Sequence, residues 1–238
     1  SRNLFLVFCK NGIVDFFTAK GLLCFGPSAK AAQLEGSKSF SKEFLSRHHI
    51  PTAAYKSFTE IAPAIDYIKT NGAPIVVKAD GLAAGKGVIV ASTEAEAITA
   101  IEDMLAGNKF GEAGHRVVIE EFLVGEEASF IAIVDGSNVL PMATSQDHKA
   151  RDDGDLGPNT GGMGAYSPAP VVSPQIHQKI MDQVIIPTVK GMAADGNEYK
   201  GFLYAGLMIT PAGEIAVVEF NCRFGDPEAQ PVMMRLNS

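Results

Sequence analysis

The run Ile75-Val76-Val77-Lys78 leads into a glycine-rich stretch, Asp80 to Gly87, which the chain leaves through Val88-Ile89-Val90. Strand, glycine loop, strand is a hairpin, and that order excludes two familiar phosphate-binding devices. A Walker A loop needs Gly-Lys-Ser/Thr with a helix behind it, and a dinucleotide fingerprint also opens a helix. Here a strand follows. Three glycines and two alanines in residues 81–87 let backbone N–H groups approach phosphate oxygens closely. Lys78 at the end of the strand and Lys86 in the loop add positive charge. Taken alone, the same hairpin is equally readable as a flexible surface loop.

The surrounding pattern alternates helices and strands. Residues 31–49 carry Leu34, Phe40, Phe44 and Leu45 on one face and read as a helix ended by Ile50-Pro51. Ile61 to Lys69 reads as a second helix, closed by Asn71-Gly72. Thr93 and Glu96 form a capping box that opens a helix to Leu105. Strands are expected over 116–122 and 127–135, with a turn at Asp135-Gly136 into Val139-Leu140. Residues 145–170 show no periodicity and read as one long ordered loop, a type that usually carries function. Ser173 and Pro174 cap a helix to Ala194. Residues 201–210 and 214–221 form a hairpin across Pro211-Ala212-Gly213, and another helix starts near Pro227. The class is α+β or α/β, with largely antiparallel sheets because the hairpins dominate.

Three more clusters hold chemically capable residues. Glu120-Glu121-Phe122-Leu123, followed by Glu126 and Glu127, is a strand running into an apolar connector. Its backbone can meet an adenine edge and a carboxylate can take ribose hydroxyls, although acidic residues beside a strand are mostly solvated. Glu219 and Asn221 stand two apart at a strand end and so share a face. Carboxylate and amide oxygens are hard ligands suited to Mg²⁺, and Arg223 can neutralise a carboxylate or phosphate. The plain alternative is an exposed strand end with Arg223 in a structural ion pair. Gln146-Asp147-His148-Lys149 precedes Gly157-Pro158-Asn159-Thr160-Gly161-Gly162, small polar backbone fit to wrap a small polar substrate. His148 is a possible general base, but a lone loop histidine more often serves as a hydrogen-bonding surface group.

Composition narrows the function classes. The chain has 238 residues, 46% of them hydrophobic and 20% charged, with a net charge of −7. That balance disfavours nucleic-acid binding, and no apolar run reaches the roughly 18–20 residues of a membrane helix. Cys9, Cys24 and Cys222 are an odd set without CxxC spacing, which fits a reducing cytoplasm better than a disulfide framework or zinc site.

The order of these clusters resembles the ATP-grasp superfamily. The strings QLEGSK (33–38), KADGLAAGKGV (78–88), EEFLVGEE (120–127), GPNTGGMGAYSPAP (157–170) and EFNCRFGDPE (219–228) are similar to the glycinamide ribonucleotide synthetase family. The resemblance covers nearly all of residues 26–238. It implies the ATP-grasp fold, two α+β lobes with largely antiparallel sheets, plus the remnant of an N-terminal α/β domain. The expected division is 1–53 for the remnant and linking helix, 54–121 for the small lobe with its glycine lid, and 122–238 for the large lobe. The implied ligands are ATP, Mg²⁺ (or Mn²⁺), glycine and 5-phosphoribosylamine.

Roles follow by the same resemblance. Lys38 and Lys78 contact ATP phosphates beneath a lid of Gly81 to Gly87, which includes Gly85 and Lys86. Glu120, Glu121, Phe122 and Leu123 form the adenine connector, with backbone offered by Glu121 and Leu123, and Glu127 holds the ribose. Glu219 and Asn221 take the metal. Asp147, Lys149 and Arg223 lie at the reacting groups, and Asn159, Thr160, Gly161 and Gly162 line the substrate. Residues 1–11 depart from the family, and its glycine-rich N-terminal unit and C-terminal domain are absent, so the chain reads as truncated. Ala150 stands where relatives often have arginine, a place Arg151 can take. The alternatives are another ATP-grasp carboxylate–amine ligase and a catalytically incomplete Mg-ATP-binding fragment.

Overall fold

A computed structural model describes residues 7–81, 87–106, 115–154, 156–160 and 162–236. They group into two units. One takes residues 36–43 and 53–123, and the other takes the chain up to Glu35, residues 44–52 and everything from Val124 onward. Among the described residues no helix is long and apolar enough to cross a membrane.

The smaller unit is a four-stranded antiparallel sheet. β1 (Tyr55–Phe58), β2 (Ile75–Ala79), β3 (Val88–Ala91) and β4 (Val117–Glu121) lie in the order β1-β4-β2-β3. Ile75, Val77 and Ala79 of β2 and Val117 and Ile119 of β4 pack on the helices Ile61–Asn71 and Glu94–Leu105. Strand side chains alternate between faces. Lys78 and Glu120 therefore project from the face opposite those helices, on neighbouring strands. The helix Glu94–Leu105 starts as expected, with Thr93 Oγ1 accepting from the Glu96 N–H at 3.2 Å. The Glu96 carboxylate reaches back one residue further than a standard capping box, to the Ser92 N–H at 2.8 Å.

The helix expected over 31–49 is two helices, Gln33–Gly36 and Lys38–Arg47. The break has a visible cause. Ser37 Oγ accepts from the Phe40 N–H at 3.2 Å, and the Asp80 carboxylate accepts from the Ser39 N–H at 2.6 Å. Ser37 and Asp80 together satisfy the orphan donors of a new helix start.

The larger unit is built on a second antiparallel sheet. β5 (Glu126–Asp135) pairs with β6 (Val139–Pro141) on one side. The expected loop at 145–170 contains β7 (Gln146–Asp147), β8 (Ala150–Asp152), β9 (Leu156–Asn159) and β10 (Ala165–Tyr166), joined as β7 with β10 and β8 with β9. These ladders are too short to show an alternation of apolar residues. β11 (Lys200–Ile209) pairs with β5 along its length and with β12 (Ile215–Asn221), giving the order β12-β11-β5-β6.

One irregularity in this sheet controls the site. Leu207 opposes Val217 but Gly206 opposes Glu219, so Val218 is an extra residue, a β-bulge. Ile215 and Val217 share the face of Leu207 and Phe130, where Phe130 stacks on His177 of the covering helix at 5.0 Å. Past the bulge the phase reverses. Glu219 and Asn221 join Ser129 and Tyr204 on the other face.

That covering helix runs as Pro174–Ile180, a π-turn Met181–Ile185, and Ile186–Ala194. Ser173 caps it, accepting from the Ile176 N–H at 3.3 Å. Pro187 lacks an N–H, and the wider turn before it absorbs the missing bond. Thr188 Oγ1 donates to the Val184 carbonyl at 2.7 Å within the same stretch.

The three cysteines are free. Cys9 packs with Val14 and Ala32, and burial, then the neighbouring Cys24, pushes its thiol up to about 11. Burial, then Glu35, also raises the Cys222 thiol. Cys24 is exposed. A maleimide at about pH 8 should therefore label Cys24 rapidly and the other two only after denaturation, because reaction needs an accessible thiolate. Mass spectrometry reads the adducts, and rapid native labelling of Cys9 or Cys222 contradicts this packing.

Candidate functional site

In the smaller unit the candidate side chains gather on the sheet face opposite the helices Ile61–Asn71 and Glu94–Leu105. Glu120 is buried and carries two ammonium groups. Lys78 Nζ lies 3.0 Å from one carboxylate oxygen, and Lys42 Nζ, from the helix Lys38–Arg47, lies 2.8 Å from the other. One turn earlier on that helix, Lys38 donates to the Gly81 carbonyl at 3.2 Å. The other lip of the glycine loop is fixed by the Ala79 N–H donating to the Gly87 carbonyl at 2.8 Å. Gly85 and Lys86 lie outside the described residues.

Asp80, at the loop's entry, caps the helix and also accepts from Ser39 Oγ at 2.9 Å and Ser37 Oγ at 3.1 Å. The connector begins at Glu121, whose N–H donates to the Ala54 carbonyl at 2.9 Å and whose carboxylate accepts from the Ala54 N–H at 3.3 Å. Leu123 is half-buried, and Phe122 is 38% exposed, enough to offer an apolar surface to a ligand.

In the larger unit the connector continues to Gly125. A Cβ there would stand 2.3 Å from the Ile209 carbonyl oxygen, so only glycine fits. Glu127 follows on β5, exposed, in contact with Lys149. Lys149 Nζ also lies 4.0 Å from Asp147. Burial works against the Lys149 charge, but Glu127, Tyr204, Asp147 and Glu219 together raise it above the ordinary lysine range. Burial raises the Asp147 carboxyl, with Lys149 opposing and Glu228 and Glu127 reinforcing.

The Lys149 carbonyl accepts from the Thr160 N–H at 2.7 Å, and Thr160 Oγ1 accepts from the Gly162 N–H at 3.1 Å. The backbone of Asn159 pairs with Ala150. These contacts draw the two substrate-loop segments together. Gly161 lies outside the described residues. His148 is placed by backbone bonds to Gly164 and Met163 and lies against Tyr166 at 5.4 Å, an exposed loop histidine.

Glu219 and Asn221 are brought together at the end of β12. Asn221 Nδ2 donates to Glu219 Oε1 at 3.3 Å, and Asn221 Oδ1 accepts from Arg223 Nη2 at 3.1 Å. Among the described residues no cluster of three or more His, Cys, Asp or Glu is arranged to hold a metal. A carboxylate beside an amide oxygen still fits Mg²⁺, which keeps waters and substrate phosphates as its other ligands. Turning the Asn221 amide presents its oxygen with that of Glu219. Arg223 also donates to the Phe224 carbonyl at 3.2 Å, and its Nε is buried without a hydrogen-bond partner among the described residues. It lies 3.7 Å from Glu35, whose other oxygen accepts from the Cys222 N–H at 2.6 Å.

Three supporting groups escaped the sequence reading. Lys42 was not singled out, because the carboxylate it meets belongs to a strand 78 positions further along the chain. Glu35 braces Arg223 from 188 positions away, a contact no local pattern shows. Glu228 is buried and accepts from Ser129 Oγ at 3.0 Å and Tyr204 OH at 3.1 Å, so the segment carrying Arg223 is pinned to the sheet. A Cβ on Gly225 would stand 2.5 Å from that carboxyl group, which explains the glycine in FGDPE.

Comparison with known proteins identifies the family and the fold. A family model described as the phosphoribosylglycinamide synthetase ATP-grasp (A) domain matches residues 36–229. The phosphoribosylamine–glycine ligase of Pseudomonas syringae pv. tomato is 72% identical over 227 residues, which cover 95% of this chain and 53% of that protein. The crystal structure of phosphoribosylamine–glycine ligase from Thermotoga maritima superposes with a TM-score of 0.82 at 38% identity, covering 88% of this chain and 53% of that one. Biotin carboxylase from Campylobacter jejuni, at 18% identity and a TM-score of 0.76 over 95% of this chain and 49% of its own, shares the fold. The chain spans about half the length of the curated relatives it matches. With two antiparallel α+β units and a family model that matches residues 36–229, the chain belongs to the phosphoribosylglycinamide synthetase ATP-grasp (A) domain family.

Proposed function

We propose that this chain supplies the ATP-grasp core of a ligase that joins glycine to 5-phosphoribosylamine, giving glycinamide ribonucleotide, ADP and phosphate in purine biosynthesis. The observation that carries this reading is the set of charges around Lys149. One cation stands within the influence of Glu127, Asp147 and Glu219, beside the Glu219–Asn221 pair and Arg223. Such a set suits a metal-bound polyphosphate and a small zwitterion better than it suits a buried nucleophile. A cytoplasmic setting agrees with the three free cysteines.

In this reading Lys38, Lys78 and the glycine lid hold the phosphates. Glu121 and Leu123 present backbone to adenine, and Glu127 takes the ribose. Glu219 and Asn221 would hold Mg²⁺, which when bound would neutralise charge on the transferring phosphoryl group. Arg223 and the Thr160–Gly162 segment orient the glycine carboxylate for attack on the γ-phosphate, forming glycyl phosphate and ADP. The amine of phosphoribosylamine, positioned near Asp147 and Lys149, then attacks the acyl carbon and expels phosphate. Phosphoryl transfer demands positioning and charge neutralisation more than a protein nucleophile, which matches the residue types assembled here. Closing the glycine lid would keep water from the acyl phosphate.

ADP release from Mg-ATP, with glycine and fresh phosphoribosylamine added separately and together, tests the reading. Release that needs both substrates supports it. Mg-ATP binding without release, favoured by a chain half as long as its relatives, identifies a nucleotide-binding portion that needs the rest of such a protein. In the complete ligase Glu219→Ala should abolish turnover, and wild-type rates in that variant would remove the metal assignment.

Asp147 supplies a pH test. Its carboxyl is raised by burial, so its contribution to stability is present below the unfolded value and is lost as pH rises through the folded one. Asp147→Asn should therefore raise the thermal midpoint at about pH 7 while lowering ligase turnover. The gain should shrink as the pH falls into the carboxylate range, where wild-type Asp147 takes up a proton. Calorimetry across pH reads the difference, and a gain independent of pH contradicts the assignment.

A further inference from the structure

We propose that Asp80 is a positioning residue for the nucleotide's phosphates, acting on Lys38 through the first turn of the helix Lys38–Arg47; this rests on the reading that the smaller unit binds ATP. Asp80 engages every polar group it has. Its N–H donates to the Arg116 carbonyl at 3.0 Å, and its own carbonyl accepts from the Lys38 N–H at 3.0 Å. Its carboxylate accepts from the Ser39 N–H at 2.6 Å, from Ser39 Oγ at 2.9 Å and from Ser37 Oγ at 3.1 Å. Arg116 closes the set, with its guanidinium 3.8 Å from that carboxylate and donating to Ser39 Oγ at 2.9 Å. The Lys38 ammonium donates to the carbonyl of Gly81, the residue after Asp80, at 3.2 Å. All of these residues belong to the smaller unit.

Lys38 is the first residue of its helix, so no preceding turn fixes its backbone. That task falls to Asp80, which takes the N–H groups of Lys38 and Ser39 together. Asp80 also stands two positions after Lys78 and directly before Gly81. One acidic residue therefore sets the end of β2, the entry to the glycine loop and the start of the helix in a single register. The two lysines that reach phosphate in the proposed reading are spaced by it. Helix ends fray over their first turn when the cap is lost. Lys38 lies in that turn, whereas Lys42 lies one turn further on and is anchored at Glu120. Losing the Asp80 carboxylate thus releases Lys38 and leaves the body of the helix in place. A purely structural cap would hold the helix and leave phosphate recognition untouched.

Calorimetric binding of ATP, adenosine and inorganic tripolyphosphate to wild type, Asp80→Ala and Asp80→Asn separates the two roles. In Asp80→Ala the affinities for ATP and tripolyphosphate should fall about tenfold or more, the scale of one charge-assisted hydrogen bond, while adenosine changes by less than about twofold. Asp80→Asn should restore ATP binding to within about threefold of wild type, because asparagine caps a helix as well as aspartate does. Equal losses for all three ligands, no loss for any, or a selective loss that Asp80→Asn does not repair overturn the proposal. Wild-type protein that binds neither ATP nor tripolyphosphate overturns the ATP-binding reading together with it, whereas wild-type binding that Asp80→Ala leaves intact overturns this inference alone. If Asp80→Ala does not fold, amide hydrogen exchange of the wild type carries the test. Tripolyphosphate should slow exchange at Ser39 and Phe40 and adenosine should not, since a ligand that needs an ordered turn stabilises it. Exchange there that tripolyphosphate leaves unchanged overturns the proposal.

Discussion

The buried carboxylate of Glu120 is the constraint around which the smaller unit is organised. It joins β4, β2 and the helix Lys38–Arg47 through two ammonium groups. Removing one partner from a buried ion pair typically costs roughly 3–5 kcal/mol. The sheet can carry such a group because its other face holds the apolar core. Val77 and Ile119 point toward the helices, so Lys78 and Glu120, one residue away on each strand, must point to the opposite face. Asp80, directly after β2, repeats the arrangement with hydroxyl and amide donors and fixes where the helix begins.

The larger unit solves the same problem with a different device. Its polar face carries Glu127, Ser129, Glu219 and Asn221, all on strands whose alternate residues are buried beneath a helix. Behind them the Glu228 carboxylate takes the hydroxyls of Ser129 and Tyr204. The segment after β12 thereby becomes a rigid arm for Arg223. Rigid support of this kind keeps a charge-recognition site in working geometry without reorganisation on binding.

The sequence made some of this legible and concealed the rest for physical reasons. The glycine hairpin was readable because β-branched runs flank it, and the helix Glu94–Leu105 because its cap is local. The break between Gly36 and Lys38 was not, since the carboxylate that starts the second helix belongs to Asp80, 41 positions from the Ser39 amide it accepts from. Ladders of two to four residues within 145–170 leave no period to detect. At the site, the spacing of Glu219 and Asn221 correctly placed them on one face. The partners that hold the charges, Lys42 and Glu35, carry no local signature, because a buried lysine and a solvated one look alike until the fold brings a carboxylate to them.

The extra residue in β12 has a wider meaning. Ile215, Val217, Glu219 and Asn221 are spaced by two, and a regular strand would turn all four toward the covering helix. Val218 breaks the count, so two apolar side chains stay inside and the polar side chains of Glu219 and Asn221 emerge on the other side. Deleting the Val218 codon would restore a regular strand and keep Glu219 and Asn221 on that other side, whereas straightening the strand with Val218 retained would send both into the core. The side a residue takes on this strand is thus set by a defect in its pairing with β11, and a count of letters along the chain assigns it wrongly.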